Sequence, residues 1–380
     1  MYKNIPTSAK LLVVSDTGMY QDRDHLYALD SVCIELRYLL QIFSSITWIG
    51  FDSPMQQNNA SYAKVASKKI SLIRLKRVGG TRITDKINIL LQFPEMYRTI
   101  HDEIKKHDYI HCRAPSNPAY IGMLLANRYP NKRFWFKYAG SWVDKASFFY
   151  DFQRKKLQKL KANSKITVNG NWDNQPSNVL AFENPCLTLQ DREKGKDIIK
   201  SKDLEAAIHY CFVGGLNTNK GILRIIKAFQ DPCFKKNVYL HVVGSGTLLQ
   251  TLKEEAVKTN INIQFYGNLS KQKVQEVYAK SNFIILASQT EGFPKVIGEA
   301  MNFGCVPIVS RVSAIPQYVK DNENGILFNP LEIDSIIDCL KQSLLVTDAI
   351  YKRYVNANYT LVQKFTYTHY LTQVKTKIFN

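Results

Sequence analysis

Short apolar runs alternate with helix-periodic segments along the whole chain, and they do so in two successive sets. The first set opens with Lys10-Leu-Leu-Val-Val-Ser15 and continues through strand-like runs at 46–51, 69–75, 107–112, 133–138 and 165–168. Helix-periodic stretches at 28–43, 84–92, 95–106, 116–128 and 146–162 fall between them. Parallel neighbours need a long crossover, normally a helix, so this order predicts a doubly wound parallel sheet. A second set predicts strands at 208–213, 238–243, 263–266, 283–287, 306–309 and 325–327. At 380 residues the chain exceeds one usual hydrophobic core, so the expected fold class is α/β with two facing Rossmann-like domains. The expected boundaries are 1–188 for the first domain and 197–347 for the second, with the polar stretch 190–196 as linker. Residues 348–380, rich in Tyr and Lys, read as one or two helices crossing back onto the first domain.

Charge narrows the partners. The formal net charge is +19, which points to nucleic acid, a phosphorylated substrate or an anionic membrane surface. The basic residues do not interleave with aromatics in any recognised nucleic-acid module, so nucleic acid is not expected. The run Arg154-Lys-Lys-Leu-Gln-Lys-Leu-Lys161 reads as a solvated helix face or as a patch for a membrane surface. No apolar run approaches the ~20 residues that span a bilayer, and the first residues lack a signal core, so a cytoplasmic or peripheral location is expected. Seven scattered cysteines, often inside apolar segments, read as reduced core thiols. Neither a C-x-x-C pair nor zinc-ligand spacing occurs, and no structural metal is expected.

The chemistry concentrates in Ser288-Gln-Thr-Glu-Gly-Phe-Pro-Lys-Val-Ile-Gly-Glu-Ala-Met301. A buried strand at 283–287 should feed a tight turn, and Pro294 suits the first turn of a helix. A helix N-terminus after a strand offers free N–H groups and a positive dipole end to an anion such as a diphosphate. Glu291 and Glu299, separated by seven residues, would flank that anion, and each carboxylate can accept from paired sugar hydroxyls. The plain alternative makes Glu299 an exposed helix residue and Glu291 a helix-start charge. Ligands of open α/β sheets bind beyond the carboxyl ends of the strands, where the loops carry Gly214, Gly215, Gly244, Gly246, Gly267, Asn268 and Gly292. Any one of these glycines alone is equally a plain turn.

Read in order, Phe212-Val-Gly-Gly-Leu-Asn-Thr-Asn-Lys-Gly221, Leu240-His-Val-Val-Gly-Ser-Gly246, Phe265-Tyr-Gly-Asn268, Glu291-Gly-Phe-Pro-Lys-Val-Ile-Gly-Glu-Ala-Met301, Gly304-Cys-Val-Pro-Ile-Val309 and Asn324-Gly-Ile-Leu-Phe328 resemble the retaining family-four glycosyltransferases. These have the GT-B fold. The series spans 208–330; the likeness over 1–185 is topological. The resemblance implies that Lys220 binds the donor diphosphate, Glu291 the transferred sugar and Glu299 the ribose. Backbone around Gly292, Phe293, Pro294 and Lys295 would assist. It further implies a metal-independent reaction with retention at the anomeric carbon, with Lys220 and Glu291 as the catalytic pair and the departing phosphate taking the acceptor proton. Two departures stand out. Gly215 replaces the usual Arg, so a second cation is missing or comes from elsewhere, and Ala139 replaces a His that touches the donor sugar, leaving Tyr138 or Ser141 for that contact.

In the first half, Gly18 is expected in a loop leaving the first strand, approaching phosphate or simply turning. Arg23 and His25, in the same loop, are acceptor-side candidates, as is Arg113 at the end of the 107–112 strand. Asp22-Arg-Asp24 has the spacing of a metal-binding D-x-D but lacks the apolar strand such a motif ends. The reading is a hexosyl-type glycosyltransferase, moving sugar from a UDP- or GDP-type donor to a glycan or lipid-linked acceptor in bacterial cell-surface polysaccharide synthesis. A nucleotide-sugar-binding protein without turnover and a nucleotide-sugar epimerase on the same fold are the alternatives.

Overall fold

The computed structural model describes residues 5–54, 61–80, 82–145, 147–204, 207–329 and 331–379. The chain divides into two compact units, one of Met1–Glu183 with Tyr370–Asn380 and one of Asn184–His369.

Unit 1 is built on β1 (Lys10–Asp22), β2 (His25–Leu29), β3 (Ser45–Asp52), β4 (Tyr62–Lys64), β5 (Ile70–Leu75), β6 (Tyr109–Ala114), β7 (Arg133–Tyr138), β8 (Ser164–Val168) and β9 (Val179–Ala181). Its parallel part runs β5-β3-β1-β6-β7-β8-β9. The helices are α1 (Asp30–Leu39), α2 (Ile83–Lys106), α3 (Asn117–Ala126) and α4 (Phe148–Gln158). One core lies under α2, α3 and α4, where Met96, Ile100, Ile104, Ile121, Leu125 and Leu157 meet Phe134, Phe136 and Ile166. Another core joins Leu36 and Leu39 of α1 to Trp48, Trp135, Tyr370, Val374 and Phe379. The segment Tyr370–Asn380 thus supplies part of a core whose other walls lie in the first half of the chain.

Several expectations change here. The first strand does not end at Ser15: β1 continues to Asp22 and pairs antiparallel with β2, Met19 opposite Ala28 and Asp22 opposite His25. The register shifts between Val14 and Gly18, an irregularity that lets one long strand turn from the parallel sheet into a hairpin. Pro94 does not divide 84–106, because α2 runs through it. Leu90 and Pro94 are both exposed, which leaves the carbonyl freed by the missing N–H open to water.

Unit 2 has a six-stranded parallel sheet in the order β12-β11-β10-β13-β14-β15, formed by β10 (Ile208–Val213), β11 (Val238–Val243), β12 (Asn262–Gly267), β13 (Phe283–Leu286), β14 (Val306–Ser310) and β15 (Ile326–Phe328). The helices are α5 (Leu189–Lys200), α6 (Ile222–Ala228), α7 (Leu249–Ala256), α8 (Lys271–Lys280), α9 (Lys295–Asn302), α10 (Ile315–Tyr318), α11 (Ile333–Leu344) and α12 (Asp348–Leu361). The stretch 190–196 is no linker; it lies inside α5. Thr188 caps that helix by accepting from the Asp191 N–H at 3.1 Å, while Asp191 returns a bond to the Thr188 N–H at 2.9 Å, a reciprocal box that satisfies two helix-start donors. Its polar side chains have fixed partners: Asp191 meets Lys271 and Gln275, both at 2.7 Å, and Arg192 meets Asn302 at 2.7 Å. Nor do residues 348–369 leave for the first domain. They stay in unit 2, and only Tyr370–Asn380 belong to unit 1.

Candidate functional site

Sheet order selects the place. In unit 2 the strand after β10 in space is β13, with β11 and β12 on one side and β14 and β15 on the other. Connections leave β10 and β13 in opposite directions, opening a crevice beyond their carboxyl ends where open α/β sheets hold ligands. Lys220 lies in the loop after β10 and Glu291 in the loop after β13.

One backbone bond and two side-chain bonds to backbone carbonyls lace this region together. Gln289 N–H donates to the Asn219 carbonyl at 2.8 Å, Asn219 Nδ2 to the Thr290 carbonyl at 3.2 Å and Arg224 to the Ala287 carbonyl at 2.7 Å. Gly221 has φ of 70°, and a Cβ there would stand 2.1 Å from the Ala287 oxygen, so only glycine permits this approach. Asn217 Oδ1 accepts the Lys220 N–H at 3.0 Å and fixes the turn into α6. The Lys220 ammonium then reaches Glu291 Oε1 in a half-buried ion pair.

The remaining strand-end glycines support neighbouring loops. Gly214 N–H donates to the Val243 carbonyl at 3.0 Å, Leu216 N–H to Ser245 at 2.9 Å and Gly244 N–H to Gly267 at 2.8 Å. A Cβ at Gly244 would sit 1.9 Å from the Gly214 oxygen, and one at Gly246 would sit 2.3 Å from the Leu216 oxygen. Gly244 and Gly246 therefore make room for the first loop, whatever else they touch. Gly267, with φ of 67°, turns the chain at the end of β12, and Asn268 after it is exposed. Gly215 has the Asn217 amide 3.0 Å from its own would-be Cβ.

Pro294 is the N-cap of α9 and Lys295 its first residue, so the N–H groups of Lys295 and Val296, directly after Gly292 and Phe293, have no intrahelical partners, while the Ile297 N–H donates to the Pro294 carbonyl at 3.1 Å. Phe293 itself is buried against Phe365 and Tyr318, with centroids 4.8 and 4.7 Å away. It anchors the loop, leaving contact to the backbone. One turn into α9, Glu299 accepts from the Tyr278 hydroxyl at 3.3 Å. Burial raises its pKa above the ordinary carboxylate value, with Lys271 and Lys295 acting in the opposite direction.

The first-half candidates distribute differently. Gly18 is inside β1, opposite Phe51, and not in a loop; a Cβ there would press on the Tyr62 hydroxyl at 3.1 Å. Arg23, with φ of 51°, and His25 form the tip of the β1–β2 hairpin, because residues 16–22 continue the strand. His25 Nε2 lies 3.1 Å from Lys64 Nζ at the surface. Asp22 and Asp24 share that tip. Arg113 does end β6, next to β1 at the switch point of the unit 1 sheet, but it is tied to Glu35 at 3.0 Å. Tyr138 is buried against Trp142 at 5.3 Å. Ser141 donates to Asp144 Oδ2 at 2.9 Å and accepts the Asp144 N–H at 3.1 Å.

Two groupings escaped sequence reasoning. Glu35, fully buried on α1, accepts from Arg113, from Lys137 at 3.0 Å and from the Tyr370 hydroxyl at 2.8 Å. His111 Nε2 stands 3.8 Å from the same carboxylate, and burial pushes that ring down to about 3, so it is neutral. Arg74, Lys76 and Arg77 line a cavity of about 830 Å³ with Asp52, Ser53 and Pro54. The cluster Arg74-Leu-Lys-Arg77 at the end of a predicted strand was a usable signal for the second grouping. No local pattern announced the first.

Residues 194–359 match the family described as glycosyl transferases group 1. A curated relative from Campylobacter jejuni, GalNAc-alpha-(1->4)-GalNAc-alpha-(1->3)-diNAcBac-PP-undecaprenol alpha-1,4-N-acetyl-D-galactosaminyltransferase, is 29% identical over 119 residues, 30% of this chain and 33% of that protein. An uncharacterised glycosyltransferase of Haemophilus influenzae is 30% identical over 164 residues, 42% of this chain and 44% of that one. The match thus spans between a third and half of the length of these relatives. Among solved structures, sucrose-phosphate synthase from Thermosynechococcus elongatus superposes with a TM-score of 0.69 at 16% identity, covering 97% of each chain. Anabaena HepE in complex with UDP and glucose gives 0.67 at 12% identity, covering 97% of this chain and 98% of that one. At such identities the likeness shows the fold, and the fold is GT-B. The family match covers residues 194–359, less than half of the chain, and shows there a domain similar to the glycosyl transferases group 1.

Proposed function

We propose that this chain transfers a sugar from a nucleoside-diphosphate donor, UDP-type before GDP-type, to a hydroxyl of a glycan or lipid-linked glycan, with retention and without a metal. The observation that carries the proposal is the Lys220–Glu291 pair at the β10/β13 switch point, beside the start of α9. A diphosphate is the anion that a lysine and a helix N-terminus would receive there. The bond from the anomeric carbon to the diphosphate oxygen breaks, its electron pair stays on that oxygen, and Lys220 with the α9 N–H groups stabilises the charge. The acceptor oxygen bonds to the anomeric carbon on the same face, and its proton passes to the departing phosphate. Glu291 accepts from hydroxyls of the transferred sugar, and Glu299 from the ribose. The named activity of the Campylobacter relative, on a polyprenyl-diphosphate glycan, supports a lipid-linked acceptor in cell-surface polysaccharide synthesis at the cytoplasmic side of a membrane. Among the described residues no helix is long and apolar enough to cross a membrane.

Product analysis with a panel of nucleotide sugars and glycan acceptors tests this reading; a folded sample giving neither transfer nor donor hydrolysis would refute it. Gly215 and Ala139 favour one second reading, a nucleotide-sugar-binding protein without turnover. Calorimetric binding of a nucleotide sugar beside null turnover would establish that instead.

A further inference from the structure

We infer that unit 1 docks on an anionic lipid surface through the outward faces of α2 and α4. Both helices send their inward residues, Ile100 and Ile104 from one and Leu157 from the other, into the same core under the sheet, so their opposite faces look outward on one side of the unit. Those faces are apolar. Ile83, Ile87, Leu90 and Leu91 recur at helical spacing, one stripe along the first half of α2, and are 76%, 52%, 73% and 70% exposed. On α4, Phe148 is 88% exposed and Phe152 42%. Among the described residues, eight of the twelve exposed large hydrophobic side chains fall between positions 83 and 152. A soluble surface does not ordinarily gather them so.

Charge selects the occupant. Phe148, Phe152, Lys155 and Lys159 follow one another at spacings of four, three and four residues, so rings and ammonium groups share one stripe. Lys86, Lys155, Lys159 and Lys161 are exposed. Interfacial helices place apolar side chains at the acyl boundary while lysine stems reach up to the headgroups, and a chain of net charge +19 is drawn to an anionic leaflet. A second copy would instead set these lysines against one another. The surface lies in unit 1 and does not depend on the sugar-transfer reading.

Sedimentation of the full chain with vesicles tests the inference, comparing equal parts phosphatidylcholine and phosphatidylglycerol with pure phosphatidylcholine. The wild type should sediment with the anionic vesicles and lose binding as salt rises. Paired Leu90→Asn and Leu91→Asn, and separately Phe148→Ser, should each lower the partition coefficient about tenfold or more. Lys155→Gln with Lys159→Gln should erase the preference for phosphatidylglycerol. Melting temperature and turnover on a water-soluble acceptor should stay as in wild type, since all these residues are exposed and outside unit 2. Wild type remaining in the supernatant, or variants that sediment unchanged, would overturn the inference. So would a dimer in solution that Leu90→Asn dissolves, because a second copy would then cover the face.

Discussion

Lys220 and Glu291 neutralise each other across two loops held together by a backbone hydrogen bond and by side-chain bonds to backbone carbonyls. A diphosphate would draw the ammonium to itself and release the carboxylate to sugar hydroxyls, so the pair stores neither charge uncompensated. Glu299 differs. Burial raises its pKa, so the folded state binds its proton more tightly than the unfolded chain does. Stability associated with that proton is present at low pH and declines as pH rises from the ordinary carboxylate range to the raised value. Glu299→Gln should therefore raise the melting temperature at neutral pH, with the gain fading below the carboxylate range, while weakening nucleotide binding. A melting profile whose difference from wild type does not change with pH would contradict this. That Glu291 sits in a loop and Glu299 on the following helix was legible in the sequence, because an apolar strand run, a glycine and a proline lie within one short stretch. Glu35 was not: its partners Arg113, Lys137 and Tyr370 are 78, 102 and 335 residues away, and only the folded sheet brings them together.

The strands of unit 2 were readable to within a residue or two, because buried parallel strands are continuous apolar runs bounded by glycine. The short strands β2, β4 and β9 were not, since most of their residues are only partly buried and so carry a weaker apolar pattern. The 190–196 stretch misled for a physical reason: its polarity is spent on capping and on contacts to Lys271, Gln275 and Asn302, which composition cannot distinguish from solvation. Gly244 tests how the elements fit. With φ of 134° and a Cβ only 1.9 Å from the Gly214 oxygen, Gly244→Ala must push the first loop away. It should cost about 3 kcal/mol or more and be visible in urea unfolding; a midpoint equal to wild type would show that the loop yields freely.

At the scale of the molecule, unit 1 is closed by the end of the chain. Phe379 packs edge-on against Phe43 and Trp135, at 5.7 and 6.0 Å, and Tyr370 reaches the buried Glu35. Truncation before Tyr370 should expose that core and strip one bond from the carboxylate, giving an early melting step and rapid proteolysis in the 1–183 segment. Glu35→Ala, which removes the buried carboxylate that Arg113 and Lys137 both meet, should cost about 3–5 kcal/mol. Wild-type melting of both variants would contradict the view that the C-terminal segment completes this unit.

The most direct test of the central claim is turnover of a nucleotide sugar by wild type, Glu291→Ala and Lys220→Ala under identical conditions, with folding checked by melting temperature. The switch-point assignment predicts that each variant remains folded and loses about a hundredfold or more in kcat. Near-wild-type turnover in either variant would contradict it.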